Sequence, residues 1–157
     1  MSEFRPTMQR ARIEAEKNPS IEVWMIDDDT SVGKSWEWGF KEINPNITFR
    51  RFEKGEDAIA ELRRRLDFAD KLPIGIIVDG NLQKDKEFFT EGPNIVSTIH
   101  VLIEAQEIHP LIIAHSTDKK KNKLMLSVGA DIEIEKGGGL ADIQKAIEQI
   151  EKHHETP

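Results

Sequence analysis

Several residue types are missing or scarce in this sequence, and each absence removes a class of function. Cysteine is absent, which excludes a disulfide scaffold, a thiolate metal site and a cysteine nucleophile. Tyrosine is absent too, and aromatic residues make up only 6% of the chain, so a stacking platform for single-stranded nucleic acid is not expected. No apolar run reaches the ~18 residues of a membrane span, and the N-terminus has no apolar signal-peptide core. We therefore expect a cytoplasmic protein that does not bind membranes.

Positive charge is also in deficit. The 22 Lys and Arg residues stand against 29 Asp and Glu residues, which gives a net charge of −7. A net acidic chain lacks the basic footprint that binding to a phosphate backbone needs, so no nucleic-acid partner is expected. The length of 157 residues suits a single globular core.

Short apolar runs alternate with amphipathic stretches along most of the chain. The runs, predicted as strands, are residues 21–26, 47–52, 74–78, 111–114 and 132–134. The stretches predicted as helices are residues 31–43, 56–68, 93–107, 119–128 and 140–151. In the last stretch Leu140, Ile143, Ile147 and Ile150 recur at helical spacing. The alternation predicts an α/β fold: a doubly wound, five-stranded parallel sheet in the flavodoxin-like order 2-1-3-4-5, with helices on both faces.

Three segments need a separate interpretation. Residues 1–20 precede the first apolar run and are expected to be an N-terminal extension that forms at most a short helix, so that residues 21–157 make up the domain. The connection 79–92 is longer than the usual 2–6 residues, and its Phe88 and Phe89 are expected to pack back onto the domain. The arginines 63–65 point three ways around a predicted helix and are expected to be solvated.

Chemically useful side chains stand at the ends of the predicted strands. Asp27 and Asp28 end the first strand, Asp79 the third, Ser116 the fourth and Lys136 the fifth. Ligands of open α/β sheets bind outside the carboxyl ends of the strands, where the strand order reverses, so these side chains are expected to meet at one edge. Clustered carboxylates without Cys or His suit Mg²⁺, and a carboxylate is a nucleophile for phosphoryl transfer. A lysine and a hydroxyl beside it would relieve the charge repulsion of that attack.

The sequence resembles a response-regulator receiver domain over residues 21–151. The resemblance is carried by VWMIDDDTSV at the first strand, KGEDAIAEL at the second helix, IGIIVDGNL at the third strand, PLIIAHST at the fourth and LSVGADIEIEK leading into the fifth. It implies a stand-alone receiver of two-component signal transduction, a phosphoprotein and signalling domain rather than an enzyme. Its implied partners are a histidine kinase or phosphotransfer protein and a downstream protein target, in a phosphorelay or as a diffusible switch.

The resemblance also implies a role for each site residue. Asp27, Asp28 and Asp79 would hold Mg²⁺, together with the backbone carbonyl of Asn81, two residues after Asp79. Asp79 would accept the phosphoryl group. The remaining family positions, the hydroxyl of strand four and the lysine of strand five, are filled by Ser116 and Lys136. A one-residue slip in strand four would instead present His115 or Thr117, because side chains alternate between the faces of a strand.

Two departures from the family pattern keep other functions open. Glu133 occupies the position of an aromatic residue that usually swings inward on activation, and Gly137 replaces the proline that usually follows the lysine. They motivate a receiver-fold binding module that is never phosphorylated. A haloacid-dehalogenase-like phosphatase is a further alternative, because Asp27-x-Asp29 resembles its first motif. That class needs an additional acidic pair after the lysine, for which Asp131 and Asp142 are the nearby carboxylates.

Overall fold

Strands and helices alternate along the chain. The computed structural model of the protein describes residues 21–82 and 91–155. The strands are β1 (Ile21–Ile26), β2 (Ile47–Phe52), β3 (Gly75–Val78), β4 (Leu111–Ala114) and β5 (Ile132–Glu133). The helices are α1 (Thr30–Ile43), α2 (Gly55–Asp67), α3 (Gly92–Ile103), α4 (Lys119–Ser127) and α5 (Leu140–Glu155). Within the described ranges no helix combines the length and apolar character needed to cross a bilayer.

All strand pairs in the sheet are parallel, and the strand order is β2-β1-β3-β4-β5. The predicted order is thus confirmed. The strand β1 lies between β2 and β3, with Ile26 opposite both Phe52 and Val78. The order reverses beside β1, so the residues that follow Ile26 and Val78 emerge side by side at one edge of the sheet.

Two apolar cores cover the two faces of the sheet. Trp24 and Ile26 of β1 face a core completed by α2, α3 and α4, whereas Val23 and Met25 face a core completed by α1 and α5. This period-2 division explains why residues 23–26 of β1 are all apolar: both faces of the strand are covered there.

Several element ends differ from their predictions. The helix α3 ends at Ile103 rather than at residue 107, and β5 is one residue shorter than predicted, although Ile134 is buried. The helix α2 ends at Asp67, one residue before its predicted end, and Ala69 just beyond it has a φ of +53°. Such a left-handed residue terminates helices, although glycine usually occupies that position. Residues 1–20 and the pair Phe88 and Phe89 lie outside the described residues.

The arginine run was also predicted incorrectly at one position. Arg65 is half-buried and forms ion pairs with Glu22 at 2.7 Å and with Glu61 at 3.0 Å. Its guanidinium lies 5.1 Å from the ring centroid of Trp24. The side chain therefore covers one end of the core of the α2 face, which a helical-wheel argument on α2 alone does not reveal.

Close packing beside β3 gives a stability prediction. A Cβ atom on Gly92 would lie 2.5 Å from the Asp79 carbonyl oxygen and 2.8 Å from the Gly80 Cα atom, both of them backbone atoms. Gly92→Ala is therefore expected to lower the free energy of unfolding by about 2–3 kcal/mol in urea titrations. The control is Gly137→Ala, where no described atom lies within 4 Å of the added Cβ and only the φ of +123° is strained. An effect at Gly92 no larger than the control's ~1 kcal/mol would contradict the steric explanation.

Candidate functional site

Two strand ends bring carboxylates together at the edge where the strand order reverses. The amide of Asp27 donates to the Phe52 carbonyl at 3.1 Å, and the amide of Asp79 donates to the Ile26 carbonyl at 3.0 Å. These bonds extend the parallel pairing by one residue beyond β1 and β3. Asp27 and Asp79 consequently leave the sheet at the same level.

The three acidic side chains predicted to converge do so. One carboxylate oxygen from each of Asp27, Asp28 and Asp79 lies within 4.8 Å of the other two. Asp27 is fully buried, Asp79 is 7% exposed and Asp28 is half-buried. Together these three residues form what we call the acidic cluster.

Asp29 does not belong to the acidic cluster, although it continues the acidic run. Its side chain caps α1, accepting hydrogen bonds from the amides of Ser31 at 3.0 Å and Val32 at 3.2 Å. The hydroxyl of Ser31 also donates to Asp29, and this bond lowers the pKa of the exposed carboxyl. The run of three aspartates thus divides into two residues of the cluster and one helix cap.

Lys136 provides the positive charge at the cluster. Its Nζ lies 2.9 Å from Asp27 Oδ2 and 3.5 Å from Asp79 Oδ1. The Lys136 amide donates to the Ser116 carbonyl at 3.1 Å, which holds the residues that follow β5 beside those that follow β4. Burial opposes the charge of Lys136, but the hydrogen bond to Asp27 and the charges of Asp79 and Asp27 outweigh it and raise the pKa above its ordinary value.

The acidic cluster carries more negative charge than one ammonium group neutralises. Burial, and then the charge of Asp27, raise the pKa of Asp79 to about 6, against the opposing effect of Lys136. Burial and Asp27 also raise the pKa of Asp28. Such a set of close, oxygen-only donors fits a hard divalent cation, and Mg²⁺ is typically held by one or two carboxylates with water.

Ser116 lies next to the acidic cluster. It is 3% exposed, and its Oγ would be 2.6 Å from a Cβ atom on Gly80, the residue that follows Asp79. The same Oγ accepts a hydrogen bond from the Asp118 amide at 3.1 Å. His115, the alternative for this position, is buried against Trp36 and contributes to a different cavity. Ser116, and not His115, therefore lies against the residue that follows Asp79.

Asn81 lies where the chain leaves β3. Its side chain is exposed, and its backbone forms an isolated antiparallel bridge with Glu91. This bridge closes the base of the long connection predicted over residues 79–92. The amide of Gly92 also donates to the Gly80 carbonyl at 2.9 Å, which joins the two ends of the connection beside the cluster.

Both departures from the family pattern are visible in the structure. Glu133 ends β5 with an exposed side chain. The peptide bond between Lys136 and Gly137 is trans, and Gly137 has a φ of +123°, a region that glycine adopts readily. The loop after β5 therefore turns through a positive φ at Gly137 and contains no cis peptide bond at that position.

Sequence reasoning missed Arg51, which supports the acidic cluster from β2. Its Nη1 donates to the backbone carbonyl of Asp27 at 3.0 Å. The side chain crosses Gly33 of α1 so closely that a Cβ there would lie 2.0 Å from Arg51 Cδ. The only local sign of this contact is the glycine in the first turn of α1. Its role cannot be predicted until the position of β2 beside α1 is known.

Comparisons with known proteins place the fold. No protein-family model matches the sequence, and no curated protein matches it. Among solved structures, the chain is similar to a CheY-like response-regulator receiver domain protein from Methanospirillum hungatei, with a TM-score of 0.68 and 16% identity, over 87% of this chain and 98% of that one.

Two further structures agree. The chemotaxis protein CheY4 of Vibrio cholerae superposes with a TM-score of 0.65 at 16% identity, over 83% of this chain and 98% of that one. A phosphorylated cyanobacterial phytochrome response regulator, RcpA, gives a TM-score of 0.64 at 17% identity, over 84% and 91%. The chain has the fold of response-regulator receiver domains, as its sequence resemblance predicts.

Proposed function

We propose that this chain is a receiver that accepts a phosphoryl group on Asp79, with Mg²⁺ held by Asp27, Asp28, Asp79 and the backbone carbonyl of Asn81. The observation that carries the proposal is the convergence of three carboxylates within 4.8 Å of one another beside the Lys136 ammonium. The position of this cluster at the carboxyl ends of neighbouring strands in a receiver fold supports a phosphoryl site there. The donor would be a histidine kinase or a phosphotransfer protein.

The chemistry follows from the groups present. A carboxylate oxygen of Asp79 attacks the phosphorus atom, a new O–P bond forms, and the P–N bond to the donor imidazole breaks. Lys136, 3.5 Å from Asp79, stabilises the negative charge of the phosphoryl oxygens, and the Ser116 hydroxyl donates to one of them. When bound, Mg²⁺ supplies further positive charge that screens the repulsion between carboxylate and phosphoryl group.

The consequence of phosphorylation would be a changed surface read by another protein. A new phosphoryl group would accept a hydrogen bond from the Ser116 hydroxyl, whose oxygen already accepts one from the Asp118 amide. Asp118 caps α4, so a movement of Ser116 toward the phosphoryl group would reach the N-terminus of that helix. The chain would signal by protein contact in the cytoplasm, as a phosphorelay intermediate or a diffusible switch.

The alternative functions have less support. In the described part of the chain, the metal-competent acidic group includes neither Asp131 nor Asp142, the carboxylates available for a dehalogenase-like second pair. Asp131 instead accepts from the Ile112 amide, and Asp142 accepts from the Gly138 amide. Glu133 and Gly137 depart from the family pattern. They would support a non-phosphorylated binding module if the wild type takes up no phosphoryl group.

Incubation of the full chain with Mg²⁺ and acetyl phosphate, followed by intact-protein mass spectrometry, tests the proposal. We expect the addition of one phosphoryl group to the wild type and none to Asp79→Asn. Asp29→Asn is the matched control, because it changes an acid of the same run that caps α1, and asparagine also caps helices well. It should be phosphorylated like the wild type.

Two outcomes would contradict the proposal. No phosphorylation of the wild type by acetyl phosphate or by a phosphohistidine donor would favour the binding module. Phosphorylation that survives in Asp79→Asn would place the acceptor elsewhere.

Removal of Mg²⁺ by a chelator is expected to slow phosphorylation of the wild type at least ~100-fold, the scale of one lost electrostatic contribution to a charged transition state.

A further inference from the structure

A cavity separate from the acidic cluster opens between α1 and α5, on the face of the sheet opposite α3. Its volume is about 650 Å³, within the range of small-molecule sites, and we call it the α1–α5 pocket. Trp38, which is 58% exposed, and Leu140, which is 47% exposed, stand at its mouth. Trp36 and His115, both almost completely buried, form deeper walls.

His115 has no assigned role and an unusual environment. Its side chain is 1% exposed, and no hydrogen bond of ordinary length reaches either ring nitrogen from the described residues. Nε2 has only a long interaction with Asp142 Oδ2 at 3.5 Å, and Nδ1 has no hydrogen-bond partner among those residues. Buried polar groups in folded proteins are almost always hydrogen-bonded, so a buried imidazole lining an open cavity indicates a partner that enters from the cavity.

The polar groups of the pocket define what that partner must offer. Burial, and then the charge of Lys136, lower the pKa of His115, so the imidazole is neutral at neutral pH and keeps one nitrogen as an acceptor. The Asp142 carboxylate beside it accepts as well. Lys136 also lines the pocket, but its ammonium is held by Asp27 and Asp79. Lys34 is exposed at the rim, where solvent screens its charge.

We propose that the α1–α5 pocket binds a small planar aromatic molecule that carries N–H donors, of the aromatic amidine or aminoheterocycle class. The N–H groups would donate to His115 and Asp142. The ring would lie against Trp36 and Trp38, since offset aromatic contacts add to the gain from burying apolar surface. A cationic amidine gains a further attraction from Asp142 and from the indole faces.

Proton–carbon NMR of the isotope-labelled full chain, titrated with benzamidine, tests this inference. Mg²⁺ and phosphodonor are omitted, so the result does not depend on whether Asp79 accepts a phosphoryl group. We expect saturable shifts of the His115 ring signals, with a Kd on the order of 1 mM for a ligand of this size. Benzoate, which has the same ring but places a carboxylate opposite Asp142, should bind at least ~10-fold more weakly.

Variants separate the pocket from non-specific binding. His115→Phe keeps a ring against Trp36 but removes both nitrogens, and it should weaken benzamidine binding about 10-fold or more. Trp38→Ala, at the exposed mouth, is a second variant that leaves the core intact and should also weaken binding. His154→Phe, an exposed position near the end of α5, should bind like the wild type.

The inference is wrong if benzamidine produces no saturable shift of the His115 ring. It is also wrong if benzoate binds as tightly as benzamidine, because the assigned ligand class depends on donors facing the two acceptors. Equal binding by wild type and Trp38→Ala would likewise overturn it, since that result locates the molecule outside the α1–α5 pocket.

Discussion

Lys136→Met is expected to lower the free energy of unfolding of the metal-free protein by about 3 kcal/mol. The substitution leaves Asp27, which is fully buried, without the ammonium 2.9 Å away. It also removes the cation 3.5 Å from Asp79. Breaking a buried ion pair by removing one partner is strongly destabilising, because the remaining charge stays desolvated. Urea unfolding in the presence of a chelator measures the effect.

The control for this substitution is Lys123→Met, which removes an exposed lysine from α4. Substitutions at exposed positions usually change stability by less than ~0.5 kcal/mol. Adding Mg²⁺ should recover part of the loss in Lys136→Met, because a divalent cation can neutralise the same carboxylates. A change at position 136 as small as that at 123 would show that Lys136 does not neutralise the acidic cluster.

Asp79→Asn is expected to raise the free energy of unfolding, the opposite effect to that of Lys136→Met. The pKa of Asp79 is raised to about 6 from an ordinary 3.8, so the folded metal-free protein binds its proton more tightly than the unfolded chain does. At neutral pH the ionised carboxylate therefore destabilises the fold by about 3 kcal/mol, at ~1.4 kcal/mol per pKa unit. Replacing it with the neutral amide should raise the free energy of unfolding by that amount.

The pH dependence follows from the same sign. The stability that a protonated Asp79 gives is fully present below pH 3.8 and is lost as the pH rises through about 6. The difference between Asp79→Asn and the wild type should therefore vanish as the pH falls from 7 toward about 4 in chelator. Asp29→Asn is the control, because the pKa of that carboxyl is lowered and its neutralisation should not stabilise the fold.

A lower stability of Asp79→Asn at neutral pH would contradict this account of the cluster's charge. The expected gain also sharpens the phosphorylation test. A variant that is more stable than the wild type and still takes no phosphoryl group cannot have failed by unfolding. Added Mg²⁺ should stabilise the wild type more than Asp79→Asn, because the variant has lost one carboxylate ligand.

The sheet and the acidic cluster were predictable from the sequence because they depend on local patterns. The strands of residues 21–26, 47–52 and 111–114 match their predicted bounds, since an apolar residue marks each end of every one. The positions of Asp27 and Asp79 follow directly from the ends of β1 and β3: each is the first polar residue after a buried strand end, and neighbouring parallel strands end at one edge.

The parts that could not be predicted depend on contacts distant in sequence. Arg51 reaches Asp27 only because β2 pairs with β1 in one particular register. Arg65 is drawn into an ion pair with Glu22, a residue 43 positions away. His115 differs from Ser116 by one place in the sequence, yet it faces the α1–α5 pocket, because side chains at the end of β4 alternate between the two faces.

Locating the phosphoryl group in the chain tests the central claim most directly. After reaction with acetyl phosphate and Mg²⁺, borohydride reduces an aspartyl phosphate to homoserine, and peptide mass spectrometry locates that residue. Our account predicts homoserine at position 79 and at no other aspartate. Homoserine at Asp27 or Asp28, or a phosphorylated chain with unmodified Asp79, would contradict it.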